Sequence, residues 1–324
     1  MLTEQLQPGQ QFEHFRIEAF VIRTCLTTIY RATDLRTGHL VAIKIPHPEL
    51  ECDPVFYSRF QREIAVSRKL KHPGVVQTID SSDLDQLCIV MEWVDGRFLR
   101  DLLAKEGKLS AERATRIATG VCEALEYIHG EGVVHRDLKP ENIMVGEGDS
   151  TKLIDFGIAA CEGMRRLTFS RLSNAMGTPD YISPEQIKRK RADGRSDVYS
   201  LGVILYEMLT GETPFSGPNP FAVMNDRLVN DPPPAREINP EISLQMQVIL
   251  YRAMEREPEN RFTGAREFGA ALAHPECVEI LDRSARQERK PARFPFLKRI
   301  LSYTMLLMIS VLIFTLLLLV IRLK

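Results

Sequence analysis

The stretch His135-Arg136-Asp137-Leu138-Lys139-Pro140-Glu141-Asn142 leads straight into the apolar triplet Ile143-Met144-Val145, and Asp155-Phe156-Gly157 follows shortly after. A short apolar run between polar clusters reads as a buried strand. A hairpin through it puts two carboxylates (Asp137, Asp155), the Lys139 ammonium and the Asn142 carboxamide within reach of one another. That set suits phosphoryl transfer from a nucleotide–magnesium complex to a hydroxyl, where positioned charge does most of the work. Either polar triplet alone is an ordinary loop. Both in order, around an apolar strand, make coincidence a poor account.

Upstream, Phe15-Arg16-Ile17, Thr28-Ile29-Tyr30-Arg31-Ala32 and residues 40–45 read as strands, with a turn at Arg36-Thr37-Gly38. Short β-rich runs punctuated this way predict an antiparallel meander. Asp53-Pro54 opens a helix with an N-cap and a proline at its first position. Residues 75–79 and 87–94 supply a further strand pair. From Ser110 the pattern turns helical, with Ala114, Ile117, Val121, Leu125 and Ile128 as one stripe up to about His129. A second helix from Asp197, apolar on most faces and stopped by Gly211, should be buried at the centre of its domain. Helices over 243–256 and 264–273 complete a larger helical lobe. The expected fold is α+β and bilobal.

At 324 residues and 44% hydrophobic content, the chain can bury one large or two smaller domains. A net charge of −1 gives no general attraction to nucleic acid. The six cysteines are scattered without a CxxC pair, so neither zinc site nor disulfide framework is expected. The first residues lack a basic region followed by an apolar run, so no signal peptide is expected. Residues 300–321 carry no charge and, at about 1.5 Å per residue, span a bilayer core as a helix. Seven bases between Arg283 and Arg299 precede them, and only Arg322-Leu323-Lys324 follows. The base excess predicts a cytosolic domain, a basic linker touching anionic lipid, and an anchor inserted late, as a tail anchor is. The expected organisation is an N-terminal extension (1–14), a catalytic domain (15–273), a juxtamembrane linker (274–299), a span (300–321) and a short tail (322–324). Its expected location is the cytoplasmic membrane, crossed once.

Residues 15–273 resemble the eukaryotic-like serine/threonine protein kinases, and bacterial members most of all. Val41-Ala42-Ile43-Lys44 looks like the third-strand lysine motif, with Glu63 placed as its helix partner. The resemblance implies Asp137 as base, Lys139 as a clamp on the transferred group, and Asn142 and Asp155 as magnesium ligands, with manganese as an alternative ion. Met91-Glu92-Trp93-Val94 is similar to the hinge, where backbone groups hydrogen-bond adenine and Met91 is gatekeeper. Ala42 above and Met144 below would sandwich the base, with Ile22 and Ile29 also around the nucleotide. Glu185 would pair with Arg261, and that pair and Asp197 would be scaffold. Lys139 and the run Gly177-Thr178-Pro179-Asp180-Tyr181 select serine/threonine over tyrosine and imply protein substrates.

Three features depart from the family or regulate it. Its glycine loop would fall at Ile22, Thr24 and Thr27, so every glycine is absent and a stiffer hairpin is expected. Ser67 stands where relatives carry a larger apolar side chain, so alignment would need a partner, crowding on the membrane or phosphorylation. Thr168, Ser170 and Ser173 lie in a long segment before Glu185, and the resemblance implies autophosphorylation there, at Thr168 or Ser170, through self-association in trans. The rival expectation is a pseudokinase or nucleotide-binding scaffold with weak or no turnover. A small-molecule kinase is disfavoured by the peptide-docking look of residues 177–185.

Overall fold

A computed structural model describes residues 5–24, 26–51, 53–80, 84–155 and 179–280, which belong to one compact unit. Its first part is a six-stranded antiparallel sheet: β1 (Gln11–Phe12), β2 (Phe15–Arg23), β3 (Thr27–Asp34), β4 (Leu40–Pro46), β5 (Thr78–Ile79) and β6 (Ile89–Glu92), in the order β1-β2-β3-β4-β6-β5. A single turn, α1 (Pro48–Glu51), precedes α2 (Pro54–Ser67). Asp53 caps α2 as expected, its carboxylate accepting from the amides of Val55 (2.8 Å) and Phe56 (3.3 Å).

Strand alternation divides the sheet's side chains between two faces. Phe15, Ile17, Tyr30, Ala32, Val41, Ile43 and Val90 form one buried cluster, joined by Leu6 and Phe12. Residues 5–12, read from the sequence as an extension, thus complete this core. The opposite face brings Ile29, Ala42 and Lys44 into line, and Ile89 packs with Phe56, Phe60 and Ile64 of α2. The expected strand over 75–79 is shorter. Val75 instead forms one parallel bridge to Leu153, because the chain there ties the sheet to the helical lobe.

The second lobe begins with β7 (Arg97–Phe98), α3 (Leu99–Glu106) and α4 (Ala111–Gly130). The hairpin β8 (Ile143–Val145) and β9 (Thr151–Leu153) pairs with β7 in a three-stranded sheet. Then come α5 (Pro184–Ile187), α6 (Gly194–Thr210), α7 (Pro220–Val229), α8 (Ala235–Ile238), α9 (Leu244–Ala253) and α10 (Ala265–Ala273). Ser110 caps α4, and its five stripe residues are wholly buried. Every residue of α6 from Ser196 to Thr210 is buried, as an all-round apolar helix requires. It starts three residues earlier than its apolar run, capped by Asp193, and ends at Gly211 with φ 84°. Within it, a Cβ at Gly202 would meet the Ala253 Cβ at 2.8 Å, so glycine sets the closeness of α6 and α9.

No helix among the described residues is long and apolar enough to cross a membrane. The expected span at 300–321 lies outside them, as do the basic linker from 283 onward and the hydroxyls Thr168, Ser170 and Ser173.

Candidate active site

Lys44 leaves β4 on the face opposite the Val41–Ile43 core, and Glu63 leaves α2 toward it. Their contact is direct: Lys44 Nζ donates to Glu63 Oε1 at 2.8 Å and to Asp155 Oδ1 at 2.7 Å. Both Lys44 and Glu63 are buried. Burial works against the Lys44 ammonium, but the charges of Asp155 and Glu63 outweigh it and push its pKa above the ordinary lysine range. Desolvation dominates at Glu63 and raises its pKa to about 7, despite the pull of Lys44. At Asp155 burial is overcome by Lys44, so its carboxyl lies below the usual range.

The β8–β9 hairpin places the second half of the site. Ile143 pairs with Leu153, and the amide of Ile154 donates to the Asn142 carbonyl at 3.0 Å. Asn142 and Asp155 therefore emerge from the same end of the hairpin. Asn142 Nδ2 donates to the Asp137 carbonyl at 2.8 Å and reaches its carboxylate at 3.3 Å. This leaves the Asn142 carboxamide oxygen as the atom for a cation. Among the described residues no cluster of three or more His, Cys, Asp or Glu side chains could hold a metal. An ion held by Asn142 and Asp155 would draw its other ligands from phosphate and water, the habit of magnesium.

Lys139 Nζ lies 2.8 Å from Asp137 Oδ2, and despite burial that carboxylate holds the ammonium's pKa above its usual value. Two non-glycine residues here take left-handed backbone angles, Arg136 (φ 66°) and Asp155 (φ 72°). Such conformations cost on the order of 1–3 kcal/mol each and persist where the surroundings over-determine them. The surroundings are identifiable at Arg136. Asp197 of α6 accepts from the backbone amides of His135 (2.9 Å) and Arg136 (2.8 Å) and from His129 Nε2 (2.8 Å). Gln186 Nε2 donates to the Arg136 carbonyl at 2.8 Å. Asp197 is scaffold, as expected, and so is the buried pair in which Arg261 grips Glu185 at 2.7 and 2.8 Å.

Register also places the nucleotide-facing residues. Ala42 pairs with Met91 and Val41 with Glu92, so the segment 91–94 runs along the edge of the sheet's open face. Met144 is buried on β8 below. The Glu92 side chain turns from this face to accept from the Gln77 amide (2.9 Å) and Lys152 Nζ (2.5 Å), leaving any role toward adenine to its backbone. Ile22 pairs across the strand with Ile29, and its side chain is 44% exposed where the family would carry glycine.

The hairpin tip is closed on itself. The Thr24 amide donates to the Thr27 carbonyl at 2.8 Å, and Thr24 Oγ1 accepts from the amides of Thr27 (3.0 Å) and Leu26 (3.3 Å). The Leu26 carbonyl is tied to the His47 amide at 2.9 Å. The Thr24 hydroxyl and amide thus tie Leu26 and Thr27 together where the sequence leads us to expect a stiffer hairpin. Ser67 is buried and its hydroxyl turns back to the Ile64 carbonyl at 3.2 Å; its expected neighbour Phe156 lies outside the described residues.

Sequence reasoning missed a polar group joining the catalytic stretch to α6. Arg100 of α3 donates to Glu207 (2.7 Å), Glu141 (3.1 Å) and Tyr181, while the Tyr181 hydroxyl donates to Glu207 at 2.6 Å. It holds the segment after Pro179 against the catalytic loop. Chain separations of 26 to 107 residues leave no local pattern to find it by.

A β-rich lobe carrying a lysine–carboxylate clasp, over a helical lobe carrying an Asp/Lys/Asn loop and an aspartate on a hairpin, defines a nucleotide-dependent phosphotransferase fold. Residues 26–275 match the protein kinase domain family. PknB, a serine/threonine-protein kinase of Mycobacterium tuberculosis, is 37% identical over 267 residues, covering 79% of this chain and 43% of that protein. PknB of Mycolicibacterium smegmatis is 37% identical over 252 residues, covering 76% and 40%. The chain thus spans less than half the length of these curated relatives. The crystal structure of the Mycobacterium tuberculosis PknI kinase domain superposes with a TM-score of 0.65 at 27% identity, over 84% of this chain and all of that one. The chain belongs to the protein kinase family, among its eukaryotic-like serine/threonine members.

Proposed function

We propose that the chain transfers the γ-phosphoryl group of ATP to serine and threonine hydroxyls of proteins, with magnesium as the ion. The observation that carries this reading is the assembled clasp in which one Lys44 ammonium bonds both Glu63 and Asp155. An inert scaffold has no use for that pair together with Asp137, Lys139 and Asn142. In this reading Lys44 orients the α- and β-phosphates, and Asp137 accepts the hydroxyl proton. Lys139 then faces the charge that develops on the transferred group. The ion supplies charge neutralisation between the phosphates when bound to Asn142 and Asp155.

The kinase unit is anchored to the cytoplasmic membrane through residues 300–321, faces the cytosol, and touches anionic lipid through its basic linker. This part rests on the uncharged apolar run and the bases before it. Autophosphorylation in trans, on Thr168 or Ser170, completes the proposal.

A second reading, a nucleotide-binding scaffold with little turnover, is favoured by the closed Thr24 hairpin, whose amides are spent internally. Radiolabel transfer from ATP to a protein acceptor separates the two, with Lys44→Ala and Asp137→Asn as controls. Transfer lost in both variants supports the kinase; no transfer by the unaltered chain, with nucleotide still bound, supports the scaffold.

A further inference from the structure

We propose that Arg100 is a positioning residue for the acceptor peptide, locking the segment 181–186 against the stretch that carries Asp137. This inference rests on the kinase reading above and concerns how the same site places its second substrate.

Two ties join the segment to that stretch, one on each side of Asp137. Gln186 Nε2 donates to the Arg136 carbonyl at 2.8 Å. At the other end the Arg100 guanidinium bonds the Tyr181 hydroxyl, and its Nε donates to Glu141 at 3.1 Å. Asn142, next in the chain, bonds both the carbonyl and the carboxylate of Asp137. Residues 136 and 141 therefore bracket the proposed base, and residues 186 and 181 are fastened to that bracket. In the kinase reading the run 177–185 receives the acceptor, so its register toward Asp137 is set by these ties.

The arginine is itself firmly held. It is the second residue of α3, whose Leu99, Leu102 and Leu103 are buried, and β7 just before it pairs with β8. Glu207 of α6 accepts from Arg100 at 2.7 Å and from the Tyr181 hydroxyl at 2.6 Å. The segment's backbone is pinned as well. Ser200 Oγ donates to the Tyr181 carbonyl at 2.7 Å, and Arg227 donates to the Ile182 carbonyl at 2.7 Å. The Arg100 fork carries this fixed frame across to Glu141.

Stability alone does not call for such a set. Taking an arginine and a carboxylate partly out of water costs free energy that a close-packed apolar pair avoids. A forked guanidinium, however, holds several partners at fixed angles, which neither an apolar side chain nor a lysine does. Here the partners come from α6, from the catalytic stretch and from the segment after Pro179, so one side chain orients all three.

The test uses the full chain in detergent, with a peptide copying residues 165–175 as acceptor. Label transfer to the peptide and ATP hydrolysis without peptide are measured side by side. Arg100→Lys keeps a charge beside Glu207 but loses the fork. It should lower kcat/KM for the peptide about tenfold, within the range that misplacing a reactant costs. ATP hydrolysis and the KM for ATP should change less than about twofold, because water needs no segment to place it. Tyr181→Phe removes one oxygen and keeps the test open if Arg100→Lys fails to fold. It should give a similar loss, and the double variant little more than either, since both cut the same tie. Hydrogen exchange of amides in 136–142 and in 179–183 should quicken together in the variants, about threefold to tenfold. Equal losses in hydrolysis and peptide transfer, or additive losses in the double variant, overturn the proposal. So does unchanged peptide transfer. If the unaltered chain transfers no label, the kinase reading fails. Exchange then decides the tie alone: quickening in both stretches supports it, and quickening in one or neither refutes it.

Discussion

Lys44 Nζ lies 2.7 Å from Asp155 Oδ1, so the lysine that would meet the phosphates is already bonded to the aspartate that would hold the ion. Glu63 shares the same ammonium at 2.8 Å. Lys44→Ala should lower kcat/KM at least about 100-fold, the usual loss for one preorganised charge. It also leaves two carboxylates facing each other. Glu63, with a pKa already raised to about 7, relieves that repulsion by taking a proton at low pH. The variant's loss in thermal midpoint should therefore be larger at pH 8 than at pH 6. An equal loss at both would show that Glu63 does not titrate in the clasp.

Acid should loosen the scaffold beneath the site in two stages. Burial holds the His135 pKa below its ordinary value of 6.5, against the opposing charge of Asp197. At Glu185 burial raises the pKa, but Arg261 more than compensates and holds the carboxyl below 4.5. For both groups the folded pKa is depressed, so the unfolded chain takes up protons first as pH falls. Their stabilisation is complete above the unfolded values, and it is lost on descending below about 6.5 for His135 and about 4.5 for Glu185. Thermal midpoints measured from pH 8 to pH 4 should decline in that order. Glu185→Gln should flatten the lower stage and leave the upper one in place.

Fastening at the hairpin tip predicts how the nucleotide is read. Thr24→Gly frees the Leu26 and Thr27 amides now bonded to its hydroxyl. With Ile22→Gly and Thr27→Gly added, the backbone can approach phosphates as the glycine-bearing family does. ATP should then bind several-fold more tightly, at about 1 kcal/mol per recovered hydrogen bond, with adenosine unaffected. Trp93, the single tryptophan, lies in the 91–94 segment with the Arg31 guanidinium 5.6 Å from its ring, so its fluorescence can report both titrations. Unchanged affinity and turnover for ATP would falsify the view that this hairpin weakens phosphate binding.

What the sequence made legible follows from how locally each feature is encoded. Ala42, Lys44 and Ile29 share a face because strand alternation has a period of two, readable without coordinates. The cap at Asp53 and the stop at Gly211 are single-residue signals. Asp197 was legible only through resemblance. Its value lies in two amides more than 60 residues away, and nothing in α6 marks that carboxylate as different from a helix-start acid. The Thr24 fastening was half legible: β-branching foretold stiffness, but not that one hydroxyl would take up two amides. β1 was missed because two residues are too few to display a period.

Autophosphorylation gives a prediction on residues outside the structural description. Arg136, beside Asp137, and Arg165, Arg166 and Arg171, along the segment, would offer partners for a phosphate on Thr168 or Ser170. Incubation with ATP and magnesium should place phosphate there in the unaltered chain and nowhere in that segment in Asp137→Asn. Mixing unaltered chain with Asp137→Asn should label the inactive partner, since the reaction is proposed in trans. Phosphopeptide mapping decides, and a bare segment in the active chain counts against this regulation.

Membrane attachment through residues 300–321 is checked by deleting them. The 22 uncharged residues from 300 to 321 are mostly leucine, isoleucine, methionine and valine. Each buried methylene is worth about 0.8 kcal/mol, so if these residues form the proposed span, it would hold the chain in a bilayer effectively without exchange. The bases from Arg283 to Arg299 add about 1 kcal/mol each near an anionic surface, far less than the span itself. Deleting residues 300–324 should therefore move the protein to the soluble fraction at physiological salt. Binding to phosphatidylserine vesicles should persist only at low salt, through the linker. Phosphotransfer to a peptide should be retained, because the compact unit ends at Ile280 and every residue of the site lies within it. If the truncated chain stays with membranes in high salt, attachment lies elsewhere than in this span.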